Sequence, residues 1–244
     1  SFDSGAGRSG GATLYGFVYQ HLMTYDWERG PAGSGVTNYA AFISAVDDIM
    51  MPQLAERWEM PQQGVWILKI RQGVRWQQPN TEAGRLMAGR EVTANDIVSS
   101  FNRMIGPDAW IQAAQPAVAK SASINQTGPW EVTIRTPVDH FTGLFWLVFG
   151  SSHNALYPPE VATKYGNVSN WRNAVGTGPF MLADYVPGSQ LYYLRNPNYW
   201  EKNPIPGPGQ GDQLPYMEKV RQLIIPDIST QLAALRTGKL DIIA

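Results

Sequence analysis

A chain of 244 residues with 43% hydrophobic and 16% charged residues has the composition of a folded protein with room for one large domain or two modest ones, which excludes a disordered chain. Its 19 Lys and Arg balance 20 Asp and Glu with no block of like charge, so the charge pattern carries no footprint for nucleic acid or an anionic membrane. The lack of cysteine excludes disulfides, thiolate metal sites and a cysteine nucleophile, and no apolar run reaches the roughly 20 residues that cross a bilayer.

Residues 1–12 are rich in Gly and Ser and read as an extended lead-in. They show no charged region followed by an apolar one, so the expectation for an exported protein is a signal already removed. The spacing of Leu14, Phe17, Val18 and Leu22 predicts a helix over 13–23. GPAGSG at 30–35 predicts a loop, and 52–58 a short element. Trp66, Leu68 and Ile70 alternate with Ile67, Lys69 and Arg71, and Gly73 interrupts before Val74-Arg75-Trp76, which predicts a hairpin or bulged strand over 66–76.

Residues 77–89 are polar and hold Gly and Pro, so they read as a loop. Thr93-Ala94-Asn95-Asp96 is a capping box with Asp in place of Glu, and the helix behind it should bury Ile97, Val98, Phe101, Met104 and Ile105 before Gly106-Pro107 stops it. Trp130, Val132 and Ile134 alternate with Glu131, Thr133 and Arg135, a half-buried strand ended by Pro137. FTGLFWLVF at 141–149 is too short to span a membrane and reads as a buried helix rather than a lid over an apolar cavity.

A strand over 180–185, a turn at Pro187-Gly188 and a strand over 190–195 have the grammar of a hairpin. A Pro- and Gly-rich loop over 203–215 precedes KVRQLIIP at 219–226, read as a buried strand. The pattern over 227–237 predicts a helix with Ile228, Leu232 and Leu235 inward and Gly238 at its C-terminal cap. Residues 240–243 read as the start of another strand, as if these residues were the first part of something longer.

Nothing in the sequence assembles catalytic chemistry. His21, His140 and His153 are the histidines, there is no G-x-S-x-G elbow and no H-E-x-x-H spacing, and the adjacent Asp47-Asp48 would not converge on one substrate. The expectation is therefore a protein that is not an enzyme and needs no cofactor or metal, with a hydrolytic enzyme as the weaker alternative.

Three segments taken in order carry a resemblance. WILKIRQGVRW at 66–76 with GREVTANDIVSSF at 89–101 is the first; GTGPF at 176–180 with YYLRNPNYW at 192–200 is the second; IPDIST at 225–230 with LRTGKLD at 235–241 is the third. Together they resemble the family 5 solute-binding proteins of ABC transporters, the group of oligopeptide-, dipeptide- and nickel-binding proteins. The 77–89 loop is longer than the turn usual at that place in the family.

The resemblance implies an α/β, mixed α+β fold: a type II, cluster C-like periplasmic-binding-protein lobe formed by 1–34 and 176–244, a small subdomain of 35–175 inserted in it, and a second lobe absent from these residues. It implies capture of peptides or similar small solutes at the periplasmic or extracellular face of the cytoplasmic membrane, by a monomer with a lipid-anchored precursor, for ABC permease subunits. It places the ligand face on Tyr15, Tyr19, His21, Asn38, Tyr39, Trp146, Gly176, Thr177, Gly178 and Phe180. A nickel or metal-chelate binding protein of the same family, with His21 and His153 as ligands, is the alternative, and a fragment that folds but cannot hold a ligand is a third reading.

Overall fold

The computed structural model describes residues 16–26, 50–107, 109, 111–114, 116–137, 156–166 and 169–243. The predictions at 30–35 and 141–149 lie outside them.

Two antiparallel sheets dominate, with a short ribbon beside them. The ribbon pairs β1 (Met23–Tyr25) with β2 (Met50–Pro52). The larger sheet runs β3-β4-β6-β5, from β3 (Ala55–Gln62), β4 (Val65–Ile70), β5 (Ser123–Gly128) and β6 (Glu131–Arg135). Period-two alternation puts Trp66, Leu68 and Ile70 of β4 and Val132 and Ile134 of β6 on one buried face, as predicted. Helix α2 (Ala94–Met104) covers that sheet against β5 and β6, burying Ile97 and Phe101, with Val98, Met104 and Ile105 partly buried.

Of the hairpin or bulged strand predicted over 66–76, strand β4 forms over Val65–Ile70 and no hairpin closes on it from the residues that follow. After Gly73, whose φ of 80° suits glycine, Arg75 forms an isolated bridge with Glu91 and does not fold back onto β4.

The loop expected over 77–89 contains α1 (Glu82–Met87). Thr81 caps it by accepting from the Gly84 N–H at 3.1 Å, and Ala83 and Met87, four residues apart, are buried on its inner face. Beyond α2 lie α3 (Ile111–Ala114), α4 (Pro116–Ser121), α5 (Pro159–Tyr165) and a 3-10 turn (Trp171–Asn173).

Among the described residues, the helix predicted over 13–23 is present at Gly16 and Phe17, and the chain then extends into β1. Its carbonyls find tertiary partners in place of helical ones: Val18 O accepts from the Gly178 N–H at 2.9 Å, and Leu22 O accepts from the Ala55 N–H at 2.8 Å.

The smaller sheet is β7 (Phe180–Val186), β8 (Gln190–Arg195) and β9 (Lys219–Leu223), in that order. The β7–β8 hairpin forms as predicted, with Gly188 at φ 70° in its turn. Strand β9, read as buried, is a largely exposed edge strand. Helix α6 (Ile228–Arg236) forms where predicted, capped by Asp227, whose carboxylate accepts from the Thr230 N–H at 2.8 Å, yet Ile228, Leu232 and Leu235 are exposed. Residues 240–243 pair with no strand among the described residues. One buried apolar cluster runs from Val18 through both larger sheets to Tyr193.

Candidate functional site

The segment 176–180 enters β7 under tight control. Gln77 lays its buried amide along it: Nε2 donates to Gly178 O at 2.8 Å and Phe180 O at 2.7 Å, while Oε1 accepts from the Gly176 N–H at 3.3 Å. The Gln77 backbone N–H adds a bond to Gly176 O at 2.8 Å. Asn196 holds the other side, with Nδ2 to Gly178 O at 3.0 Å and its backbone N–H to Pro179 O at 2.8 Å.

Two glycines, Gly176 and Gly178, bracket Thr177 in this segment. Neither has a positive φ. They are glycines because the 16–18 backbone crosses them closely: a Cβ on Gly176 would stand 1.9 Å from Val18 O, and one on Gly178 2.5 Å from Phe17 O. The Gly176 and Gly178 N–H groups are both engaged within the chain, with Gln77 and Val18.

Thr177, between them, is buried, and its Oγ1 has no hydrogen-bond partner among the described residues. Phe180 is buried edge-on against Phe17, ring centroids 5.5 Å apart, and Tyr19 is buried against the Tyr157 ring at 4.9 Å. The structure therefore brings Tyr19 and 176–180 to one crossing of the chain, while His21 lies just beyond it against Gln53 and Leu54, and Tyr15, Asn38, Tyr39 and Trp146 lie outside the described residues.

His21 is tied by its backbone: its N–H donates to Gln53 Oε1 at 2.8 Å, and its carbonyl accepts from the Leu54 N–H at 3.1 Å. Its Nδ1 is buried without a partner among the described residues, and burial lowers the imidazole to about 4. A ring held neutral in this way suits packing better than acid–base work near neutral pH.

Sequence reasoning missed a polar network beside it. Buried Gln20 donates from Nε2 to the Tyr199 hydroxyl at 3.0 Å and accepts from Trp200 Nε1 at 2.9 Å. Tyr199 donates to Glu201, and burial, then the Glu201 charge, pushes its hydroxyl pKa up. The Arg71 guanidinium lies over the Trp200 ring at 4.5 Å and its Nε donates to Gln53 O at 2.8 Å. The signal was Tyr199-Trp200 closing the second motif; Gln20 was hidden inside the helix predicted over 13–23, which does not reach it.

Arg90, within the first motif, clamps the scaffold. Its Nε and Nη2 reach Glu160 at 2.6 and 2.7 Å, Nη1 and Nη2 reach Asp96 at 2.8 and 2.7 Å, and Nη1 also donates to Glu91 O at 2.9 Å. All five N–H donors of the guanidinium are used. Asp96 in turn accepts from the Thr93 N–H at 2.8 Å, which is its half of the predicted capping box. No group of three or more His, Cys, Asp or Glu is arranged to hold a metal among the described residues.

The polar side chains of these motifs hold the backbone and the scaffold in place. Residues 50–244 match the family model for bacterial extracellular solute-binding proteins, family 5 middle region. The chain belongs to that family. It is 27% identical over 200 residues to the di/tripeptide-binding protein 2 of Pseudomonas aeruginosa, covering 76% of this chain and 36% of that protein. In fold it is similar to the crystal structure of OppA of Haemophilus influenzae in complex with RPPGFSPFR, with a TM-score of 0.70, 21% identity and coverage of 99% of this chain and 43% of that one. It is also similar to NikA of Brucella suis in complex with Fe(III)-EDTA, with a TM-score of 0.68, 20% identity and coverage of 99% and 40%.

The chain spans about a third of the length of the curated relatives it matches. Two of them are a di/tripeptide-binding protein and a periplasmic oligopeptide-binding protein, the latter of Salmonella typhimurium. No helix among the described residues is long and apolar enough to cross a membrane.

Proposed function

We propose that this family 5 chain belongs to the substrate-binding component of an ABC importer, which captures peptides outside the cytoplasmic membrane and delivers them to the permease subunits. The family match over 50–244 carries this reading, and the relatives named for peptides point to the solute class.

On this reading Tyr15, Tyr19, His21, Asn38, Tyr39, Trp146 and 176–180 form one wall of the ligand cleft. Gly176 and Gly178 shape that wall, and the Thr177 hydroxyl is its polar contact, since a buried hydroxyl without a partner gains most from one supplied by a ligand. The wall is part of a lobe formed by 1–34 and 176–244, with 35–175 inserted as a smaller subdomain, and the working protein is a monomer that closes on its ligand.

A thermal-shift screen tests the reading. This chain, and the polypeptide encoded by its complete reading frame, are titrated with di- to nonapeptides and with nickel with and without a chelator. A dose-dependent rise in Tm with peptide, reduced by Thr177→Val, is the expected result. A response to nickel chelate alone transfers the proposal to metal uptake, and a folded full-length protein that responds to none of them overturns it.

A further inference from the structure

A cavity of about 550 Å³ opens between α1, the end of α5, the 3-10 turn and the β7–β8 hairpin. It shares no residue with 16–21 or 176–180. Its volume falls within the roughly 300–1,000 Å³ of small-molecule sites.

The charge in it is uneven. Glu82, on its α1 wall, is taken by Lys164 in an ion pair of 2.5 Å that holds its carboxyl below the usual range. Two guanidiniums also line it from separate elements, Arg85 on α1, whose charge adds to the pull on Glu82, and Arg172 in the 3-10 turn, and neither makes an ion pair among the described residues. The Arg85 side chain donates to Asn80 Oδ1 at 3.4 Å, and Arg172 lies over the Trp171 ring at 4.4 Å. An arginine stacked in this way keeps the edge of its fork free for a carboxylate or phosphate.

The opposite wall is apolar, from Met181 and Ala183 of β7 and Leu194 of β8. The bulge between Leu182 and Asp184 interrupts the β7–β8 register at that point.

We infer that this cavity is a second binding site, separate from the candidate cleft wall, for a small organic anion that joins a carboxylate or phosphate to an apolar, preferably aromatic body. Arg85 and Arg172 take the anion from two sides, and Met181 and Leu194 take the body.

Isothermal titration calorimetry of this chain with phenylacetate, phenyl phosphate and inorganic phosphate tests it. An aryl anion should bind at one site per chain. Arg85→Gln and Arg172→Gln should each weaken it about tenfold or more, and Met181→Trp, which fills the apolar wall, should abolish it. Both arginines are exposed, so an unchanged Tm serves as the folding control. Absence of heat with both aryl anions overturns the inference. So does equal affinity in the two arginine variants, or inorganic phosphate binding as tightly as phenyl phosphate.

Discussion

Helices α2 and α6 follow the same local rules and meet different surroundings. Each starts at a side-chain cap and carries an apolar stripe at helical spacing. In α2 the stripe is buried under the β3-β4-β6-β5 sheet, with Ile97 at 1% and Phe101 at 3% exposure; in α6, Ile228 stays 58% and Leu232 42% exposed beside the edge strand β9. A stripe marks a face able to be buried, but only the elements packed against it make burial real. Strands β5 and β6 supply that cover for α2, and among the described residues no sheet face covers the stripe of α6 in the same way.

The largest effect expected from this contrast is at Phe101. Phe101→Ala should cost about 3–5 kcal/mol in urea unfolding, because a closed core cannot collapse around the lost ring. Next is Arg90→Ala, which strips the ion-pair partner from Asp96, whose side chain is only 2% exposed. Its cost should be about 3 kcal/mol, at the lower end for such a loss because the guanidinium is one-third exposed. Arg90→Lys, a point charge without the fork, should recover only part of it.

The third prediction concerns pH. His21 is lowered from 6.5 to about 4 by burial, so between those values the unfolded chain holds a proton that the folded one refuses. Stability should therefore fall as pH drops from about 6.5 towards 4, by up to about 3 kcal/mol at 1.36 kcal/mol per pH unit, and be unaffected above that window. The difference between wild type and His21→Gln, measured by unfolding across that range, isolates this residue from the carboxylates that titrate nearby. A difference that stays constant with pH would mean the imidazole is not shielded.

The smallest effect is expected on α6. Leu232→Ala should change the stability of this chain by no more than about 0.5 kcal/mol. A loss comparable to that of Phe101→Ala would break the comparison, since it would require α6 to be packed.

Strand alternation in 66–70 and 130–135, the capping box at Thr93 and the hairpin around Gly188 were legible because a few neighbouring residues decide each of them. The same short range explains the misreadings. The 13–23 pattern has helical spacing, but its carbonyls are claimed by Gly178 and Ala55, far away in sequence. Helix α1 was concealed in a polar stretch whose buried side is only Ala83, Gly84 and Met87. Of the candidate site, the 176–180 turn was visible as a motif, whereas Gln77 and Gln20 were not, because an amide becomes a clamp only when distant backbone comes within 3 Å or so of it.

By itself the sequence determined the family, through three ordered motifs, together with most of the strands and the start of α2. Tertiary structure alone decided why Gly176 and Gly178 are glycines, which apolar stripes are covered, and that Arg85 and Arg172 line a shared cavity. Propensity, alternation and capping act within a few residues along the chain, while close approach, burial and charge pairing depend on groups brought together from far apart in it.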